Sequence, residues 1–184
     1  MQSHGKVAMS LTDNSGVQIH YEVVGDGLPL VLGHGSFGSL DDWKDLSYVD
    51  ALCSSHTLIL VDARGHGRSG KPHDQSAYDL AQRVSDITAV LDALGIDTAD
   101  QMGYLMGGWI GFGLARYAPQ RVRSLILEGA HPIAESMEAF RALIPELPEA
   151  FVTLLEPIYG AHLGPAMRAR LVENDLGNSM LAAC

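Results

Sequence analysis

Apolar, β-rich runs alternate with helix-like segments up to about residue 130, and this order restricts the possible folds more than any other feature. The runs are Val7–Leu11, Val17–Val24, Leu28–Leu32, Thr57–Val61, Asp100–Tyr104 and Val122–Leu127. Patterns typical of helices separate the later runs, at Asp41–Cys53, Ala77–Leu94 and Met106–Tyr117. Strands and helices that alternate in this way form a parallel sheet with right-handed crossovers. The sequence therefore predicts an α/β fold, with a mostly parallel sheet flanked by helices.

Turn-forming residues and a change of texture divide the chain further. Residues 12–16 read Thr-Asp-Asn-Ser-Gly between the first two runs, which predicts a β-hairpin. After residue 132 no β-rich run follows, and prolines separate short stretches rich in Leu, Ala, Met and Glu. We therefore predict two parts: a core of six strands over 1–132 and a helical, cap-like segment over 133–184.

Composition excludes several classes of protein. Among 184 residues, 22 are acidic and 12 are basic, and the net charge of −10 argues against a nucleic-acid partner. No apolar run approaches the ~18 residues of a membrane-spanning helix, and the N-terminus lacks the apolar core of a secretory signal. Two cysteines, Cys53 and Cys184, are too few for a disulfide framework, so we expect reduced thiols and a cytoplasmic protein. Neither a metal-ligand spacing nor a phosphate-binding loop occurs, so no metal or cofactor is expected.

A glycine-rich motif marks the junction between the fifth run and the following helix. It reads Gly103-Tyr104-Leu105-Met106-Gly107-Gly108. One large group of hydrolases places Gly-x-Ser-x-Gly at such a strand–turn–helix elbow. The turn forces its central residue into a strained backbone conformation, and a Cβ on either flanking glycine would collide with neighbouring elements. The motif predicts such an elbow centred on Leu105.

Three further motifs, in order along the chain, accompany the elbow. His34-Gly35-Ser36, followed by Trp43, resembles an oxyanion loop after a third strand. Residues 62–69 read Asp-Ala-Arg-Gly-His-Gly-Arg-Ser and are similar to a D-x-R-G-x-G-x-S turn, and residues 116–122 match a helix-to-sixth-strand passage. From Val17 to Pro132 the chain resembles the α/β-hydrolase superfamily, and within it the cap-containing esterases and lactonases, which use no cofactor.

The resemblance implies a set of site residues. Leu105 occupies the position of the nucleophile, and the backbone N–H groups of Ser36 and Met106 would be the two oxyanion donors. The residues expected to line or support the pocket are His34, Gly35, Gly103, Tyr104, Gly107 and His131. The ligand implied is a small ester-like or apolar molecule.

Two departures from the family pattern leave the activity open. Leu105 has no lone pair with which to attack a carbonyl carbon, and the acid and histidine of a catalytic triad normally follow the sixth strand. In that region Glu128 is only near the acid position, and His162 is a poor match for the histidine. One hypothesis is a pseudoenzyme or a small-molecule-binding scaffold. Another is a fragment or variant of a serine hydrolase acting on esters or lactones, and a third is water activated by a pocket histidine.

The remaining candidates are predicted to be structural. His66 lies within the turn motif, Cys53 ends a helical pattern, and the hydroxyls of Ser36 and Ser69 lack an identified base. The run Val122–Leu127 is a different case, because the family sheet continues beyond its sixth strand. If those strands are missing, the run becomes an exposed apolar edge that favours a homodimer or a swapped oligomer, unless residues 133–184 cover it.

Overall fold

The computed structural model describes residues 8–130, which form a six-stranded sheet with helices on both faces. The strands are β1 (Ala8–Asn14), β2 (Val17–Val24), β3 (Leu28–Gly33), β4 (His56–Val61), β5 (Ala99–Tyr104) and β6 (Val122–Glu128). The helices are α1 (Asp41–Asp45), α2 (Tyr48–Leu52), α3 (Leu80–Ala93) and α4 (Met106–Tyr117). Their order across the sheet is β1-β2-β4-β3-β5-β6, and only the pairs β1–β2 and β2–β4 are antiparallel. The predicted α/β fold is confirmed, whereas the predicted segment 133–184 lies outside the described residues.

The core has one layer on each face of the sheet because alternate residues of a strand point in opposite directions. Val31 and Ile59 pack with α3 and α4 on one face. Leu32 and Leu60 pack on the other face, with Trp43 of α1 and with α2. Strands covered on both faces need apolar residues at every position, which explains why the central runs are continuous rather than alternating.

The hairpin is tighter than its sequence predicted. β1 continues to Asn14, and residues 12–14 pair with residues 17–19 of β2. Only Ser15 and Gly16 form the turn, with φ of 56° and 83°. Two successive positive φ values define the turn whose twist matches that of the two strands.

The single helix predicted for Asp41–Cys53 is wrong. Two short helices occupy this segment, and Ser47 separates them with a φ of 63°. Trp43 and Val49 are both buried against the same face of the sheet. Residues six positions apart point in different directions on one continuous helix, so only a break lets both reach the core.

The helix predicted for Ala77–Leu94 begins later, at Leu80. A 3-10 turn precedes it, and Asp79 between them has an extended ψ of 148°. Arg64 donates a hydrogen bond to the carbonyl oxygen of Ala77, and Arg83 donates one to that of Tyr78 at 2.9 Å. These carbonyls are therefore held by arginines from the tertiary structure, which periodicity along the sequence does not reveal.

β6 lies at one edge of the described sheet and pairs there only with β5. Ile126 in its middle is 50% exposed, and within residues 8–130 no strand other than β5 pairs with β6. We expect two copies of the chain to pair through this edge, which light scattering after gel filtration would detect as a dimer mass. Ile126→Lys should shift the mass to that of a monomer, whereas Leu46→Lys, at another exposed leucine, should not. A monomer at high concentration would contradict the prediction.

Candidate functional site

The elbow joins β5 to α4 through a single residue, Leu105. Its φ of 47° and ψ of −106° lie outside the regions that residues with a Cβ favour. Such a conformation costs about 1–3 kcal/mol and persists only where neighbouring contacts enforce it. Here the N–H of Leu105 donates to the carbonyl of Glu128 at 2.9 Å, and its carbonyl accepts from the N–H of Trp109 at 2.9 Å. The strained turn is thus held by β6 on one side and by α4 on the other.

Glycines around the elbow permit very close packing of backbone on backbone. A Cβ on Gly103 would lie 2.3 Å from the carbonyl group of Gly107. A Cβ on Gly107 would lie 2.0 Å from the carbonyl oxygen of Gly33 in β3. Contacts under 3.0 Å with backbone atoms cannot be relieved by turning a side chain. The glycine spacing of the motif is therefore required by how α4 rests on β3 and β5.

The side chain of Leu105 projects between two loops. A Cβ on Gly35 would lie 3.7 Å from one methyl of Leu105, and a Cβ on Gly129 would lie 2.9 Å from the other. The ring of Tyr104 lies near the same two glycines, 3.0 and 3.6 Å from where their Cβ atoms would be. Leu105 is 37% exposed, so an apolar group stands partly open to solvent between the loops after β3 and β6. An alkyl side chain there can pack against a ligand but cannot attack one.

The two predicted oxyanion donors lie on segments that are joined to each other. Met106 is the first residue of α4, so its N–H has no partner inside the helix and lies at the positive end of the helix dipole. The next N–H, of Gly107, donates to the carbonyl of His34 at 3.1 Å and ties α4 to the loop that carries Ser36. The donor roles of Ser36 and Met106 remain predictions.

His34 orients the peptide group that contains the N–H of Ser36. Its Nε2 accepts a hydrogen bond from the N–H of Ala63 at 3.1 Å, so the ring proton is on Nδ1. That Nδ1–H donates to the carbonyl of Gly35 at 2.7 Å, and this carbonyl belongs to the same peptide unit as the Ser36 N–H. Both ring nitrogens are engaged with backbone, which favours a supporting role over that of a general base.

His66 contacts the same loop at the carbonyl oxygen of Ser36. It is fully buried, and burial is the main reason that its pKa is lowered from 6.5 to about 3. The ring is therefore neutral at pH 7 and carries one proton. Nε2 lies 2.8 Å from the carbonyl oxygen of Ser36, whereas Nδ1 lies 3.1 Å from that of Arg64. We assign the proton to Nε2 from the shorter contact, which makes His66 a donor to Ser36.

We expect the free energy of unfolding to fall as the pH is lowered from about 6.5 towards 3. In the unfolded chain His66 takes up a proton at its ordinary pKa of 6.5, whereas in the folded chain it resists protonation down to about 3. Between these values the unfolded state binds more protons, so acid favours unfolding. Each pH unit in this window removes about 1.4 kcal/mol through this group. Urea unfolding at a series of pH values between about 7.5 and 4.5 would measure the slope.

The matched variant is His66→Gln, whose amide nitrogen can still donate to the carbonyl of Ser36 but does not titrate. Its free energy of unfolding should change less with pH over the same range. An unchanged slope in this variant would contradict the assignment to His66.

Asp62 anchors the turn that carries His66. Its carboxylate accepts hydrogen bonds from Nδ1 of His20 at 2.9 Å and from the N–H groups of Leu40 at 2.8 Å and Arg68 at 3.0 Å. Burial by itself would raise the pKa of Asp62, but the hydrogen bond from His20 and the two backbone donors lower it overall. Asp62 therefore fixes the end of β4 as a charged structural group.

Ser69, one of the hydroxyls considered as a substitute nucleophile, is also used structurally. Its Oγ donates to the carbonyl of Asp62 at 2.6 Å and accepts from the N–H of His20 at 2.8 Å. Cys53 packs beside the core layer of Trp43 and is partly buried. These positions agree with structural roles for both residues.

Two buried arginines below the elbow were not identified from the sequence. Arg64 pairs with Asp86 through two contacts of 2.6 and 2.5 Å. Arg83 is 1% exposed, its Nη1 lies 3.2 Å from Sδ of Met106, and burial lowers its pKa to about 10. Arg83 is thus still charged at pH 7. For Arg83, the sequence indicated burial only through its position within the apolar stripe of α3 rather than on the opposite face of that helix.

The structure brings Gly35, Tyr104 and Leu105 together with Gly129 in the loop after β6. Glu128 contributes its backbone carbonyl to the elbow, and its side chain is exposed. His131 and His162 lie outside the described residues. Within residues 8–130 no group of three or more His, Cys, Asp or Glu could hold a metal ion.

Comparisons with known proteins identify the family. The family described as alpha/beta hydrolase fold matches residues 29–179. The 2-hydroxymuconate semialdehyde hydrolase of Pseudomonas sp. (strain CF600) is 34% identical over 140 residues, which are 73% of this chain and 49% of that protein. The non-heme chloroperoxidase of Streptomyces lividans is 35% identical over 126 residues, which are 67% of this chain and 45% of that protein.

Solved structures agree with the sequence comparison. A hydrolase from Pseudomonas aeruginosa PA01 has a TM-score of 0.81 and 25% identity, and the match covers 97% of this chain and 72% of that one. The chain spans about half the length of the curated relatives that it matches. Those relatives differ in activity, so the shared fold does not by itself assign one. With its elbow, its loop after β3 and its strand order, the chain belongs to the α/β-hydrolase family.

Proposed function

We propose that this chain binds a small ester-like or apolar molecule at the elbow and does not hydrolyse it by serine chemistry. The observation that carries the proposal is Leu105, which stands at the nucleophile position with its side chain between Gly35 and Gly129. Acyl transfer in this fold requires an attacking oxygen at that point. A leucine offers a ligand dispersion contacts and burial of apolar area instead.

The rest of the elbow supports binding of a carbonyl group. The N–H of Met106 at the start of α4 and the N–H of Ser36 are the two groups that would donate to a ligand oxygen. The hydrogen bonds from His34 to Gly35 and from His66 to Ser36 keep that loop in place without any ligand. A site that is ordered in advance binds more tightly, because less conformational entropy is lost on binding.

Catalysis by a neighbouring histidine has less support. Both ring nitrogens of His34 contact backbone groups, and so do both of His66. Neither is available to activate a water molecule in this arrangement.

The test combines turnover, labelling and binding on the same preparations. Hydrolysis of p-nitrophenyl butyrate by the chain should equal the buffer rate, and a fluorophosphonate probe should leave its intact mass unchanged. Leu105→Ser should also remain slow, since the described residues near the elbow supply no base for the new hydroxyl. Saturation-transfer NMR should detect p-nitrophenyl butyrate bound to the chain but not to Leu105→Glu, with Leu46→Glu as the exposed control. Turnover that survives in Leu105→Gly would overturn the proposal.

A second candidate function follows from the strained backbone at Leu105. This geometry serves a nucleophile in the family, and a leucine gains no chemistry from it. The alternative is that this chain is a fragment or variant of a serine hydrolase acting on esters or lactones. Its support is the family match over residues 29–179 together with the strained turn retained at Leu105. Restoring Ser at position 105 together with the downstream segment of such a relative should then give a covalent adduct with the serine probe.

The cytoplasm remains the proposed location. Its support is the free thiol of Cys53, since reduced cysteines are usual in that compartment. In the described part of the chain no helix has the length and apolar character needed to cross a membrane.

A further inference from the structure

The two ring nitrogens of His34 contact backbone groups of opposite hydrogen-bond polarity. Nε2 lies 3.1 Å from the N–H of Ala63, and Nδ1 lies 2.7 Å from the carbonyl oxygen of Gly35. The first partner is a donor and the second is an acceptor, so only a neutral ring with its proton on Nδ1 satisfies both. A second proton on His34 would place an N–H against the N–H of Ala63 and would break that hydrogen bond.

His66 differs from His34 because both of its ring nitrogens face carbonyl oxygens. These belong to Ser36, at 2.8 Å, and to Arg64, at 3.1 Å. Both partners are acceptors, so a second proton on His66 would break neither contact. Of the two rings, His34 is therefore the one whose protonation disconnects the loop after β3 from the turn after β4.

The hydrogen bonds of His34 end at a peptide group that the proposed binding site uses. The carbonyl of Gly35 and the N–H of Ser36 belong to one peptide unit, and this N–H is one of the two donors proposed for a ligand oxygen. A hydrogen bond to the carbonyl of a peptide unit also polarises its N–H and makes it a stronger donor. His34 is thus a positioning residue that acts on the ligand through Ser36.

Several titratable groups surround the His34 ring, which is 2% exposed. The ring centroid of His66 lies 5.2 Å away, and a charge on His34 would interact with the carboxylate of Asp62 and with His66. From α3, Arg83 acts electrostatically on His66. In the small space beside the ring, α3, β5 and α4 contribute side chains that do not titrate, which are Ile87, Gln101 and Ile110. The charges of Asp62, His66 and Arg83 therefore influence how readily His34 takes up a proton.

We propose that His34 makes ligand binding at the elbow sensitive to acid, because a second proton on its ring releases the loop of Ser36 from the turn after β4. The neutral ring holds the Ser36 N–H in position for a ligand oxygen. Once the bond to Ala63 is lost, the ordered loop is populated for a smaller fraction of the time, and the apparent affinity falls by that fraction. The inference rests on the proposed function and adds regulation to the same site.

Binding of ethyl butyrate tests the inference, because this ester carries no titratable group of its own. Its affinity for the intact chain, measured by NMR titration, should fall about tenfold between about pH 8 and about pH 5, as expected for one lost hydrogen bond of this kind. His34→Asn keeps an amide donor for the Gly35 carbonyl but does not titrate, so its affinity should stay nearly constant. The matched control is His56→Asn, at a histidine that contacts Ser55 instead of the elbow, and it should keep the full pH dependence.

A second readout follows the loop without any ligand. Over the same pH range, the nitrogen NMR shifts of the His34 ring should change from one protonated nitrogen to two. The protection of the Ala63 amide against hydrogen exchange, corrected for the intrinsic exchange rate at each pH, should fall in parallel. These two signals also decide the question if His34→Asn does not fold.

Each outcome identifies which statement fails. If ethyl butyrate does not bind at any pH, the proposed function is overturned and its regulation with it. If the ester binds with the same affinity throughout while Ala63 stays protected, only the role of His34 is overturned. The same holds if folded His34→Asn keeps the pH dependence of the original chain.

Discussion

Replacing Asp86 with alanine should lower the free energy of unfolding by about 3–5 kcal/mol, because it leaves a buried guanidinium without its counter-charge. Asp86 is 2% exposed and contacts Arg64 through both carboxylate oxygens, and it also accepts from Nδ2 of Asn14 at 2.7 Å. Arg83 is buried nearby and would add to the uncompensated positive charge. The loss is comparable to the whole stability of many domains, which is about 5–15 kcal/mol. Urea unfolding at pH 7.5 measures it.

The matched control is Asp92→Ala on the same helix. Asp92 also pairs with an arginine, Arg121, at 2.7 Å, but its side chain is 67% exposed. An exposed ion pair contributes about 0–1 kcal/mol because water solvates both partners after the pair is broken. Equal losses in the two variants would contradict the argument from burial.

The Asp86 variant should also loosen the loop that carries Ser36. Arg64 belongs to the same turn as His66, and His66 contacts the carbonyl oxygen of Ser36.

Replacing Gly107 with alanine should destabilise the fold by more than about 3 kcal/mol, at or beyond the usual cost of overpacking. The new Cβ would lie 2.0 Å from the carbonyl oxygen of Gly33 and 2.4 Å from its carbon, and both are backbone atoms of the central sheet. Helix α4 would have to move away from β3, which would separate the elbow from the loop after that strand. Thermal unfolding, with the yield of soluble protein, measures the effect.

Gly111→Ala in the same helix provides the comparison. Its Cβ would lie 2.8 Å from a terminal methyl of Leu127, which is the end of a side chain that can turn. Both substitutions raise helix propensity by roughly 1 kcal/mol, so their difference reports on packing alone. We expect Gly111→Ala to stay within about 1–2 kcal/mol of the original chain. A loss at Gly111 as large as that at Gly107 would contradict the backbone contact.

Features that depend on neighbouring residues in the chain were predicted from the sequence. Periodicity gave the order of strands and helices, and the spacing of Gly103 and Gly107 gave the elbow, because each reflects backbone geometry over a few residues. The break at Ser47 and the late start of α3 were not predicted. They depend on which side chains must reach the core and on arginines that approach from other elements.

The sequence by itself determined that this chain has an α/β-hydrolase fold and that its elbow carries no nucleophilic side chain. Composition and motif order are sufficient for both statements, since a leucine cannot attack a carbonyl in any fold. Only the tertiary structure decided the environment of the elbow. The neutral state of His66, the tautomer of His34 and the burial of Arg83 all arise where side chains from distant segments meet. The positions of these residues in the sequence do not show which distant groups they contact in the fold. Burial in the fold then changes the charge and the hydrogen bonds that each group can have.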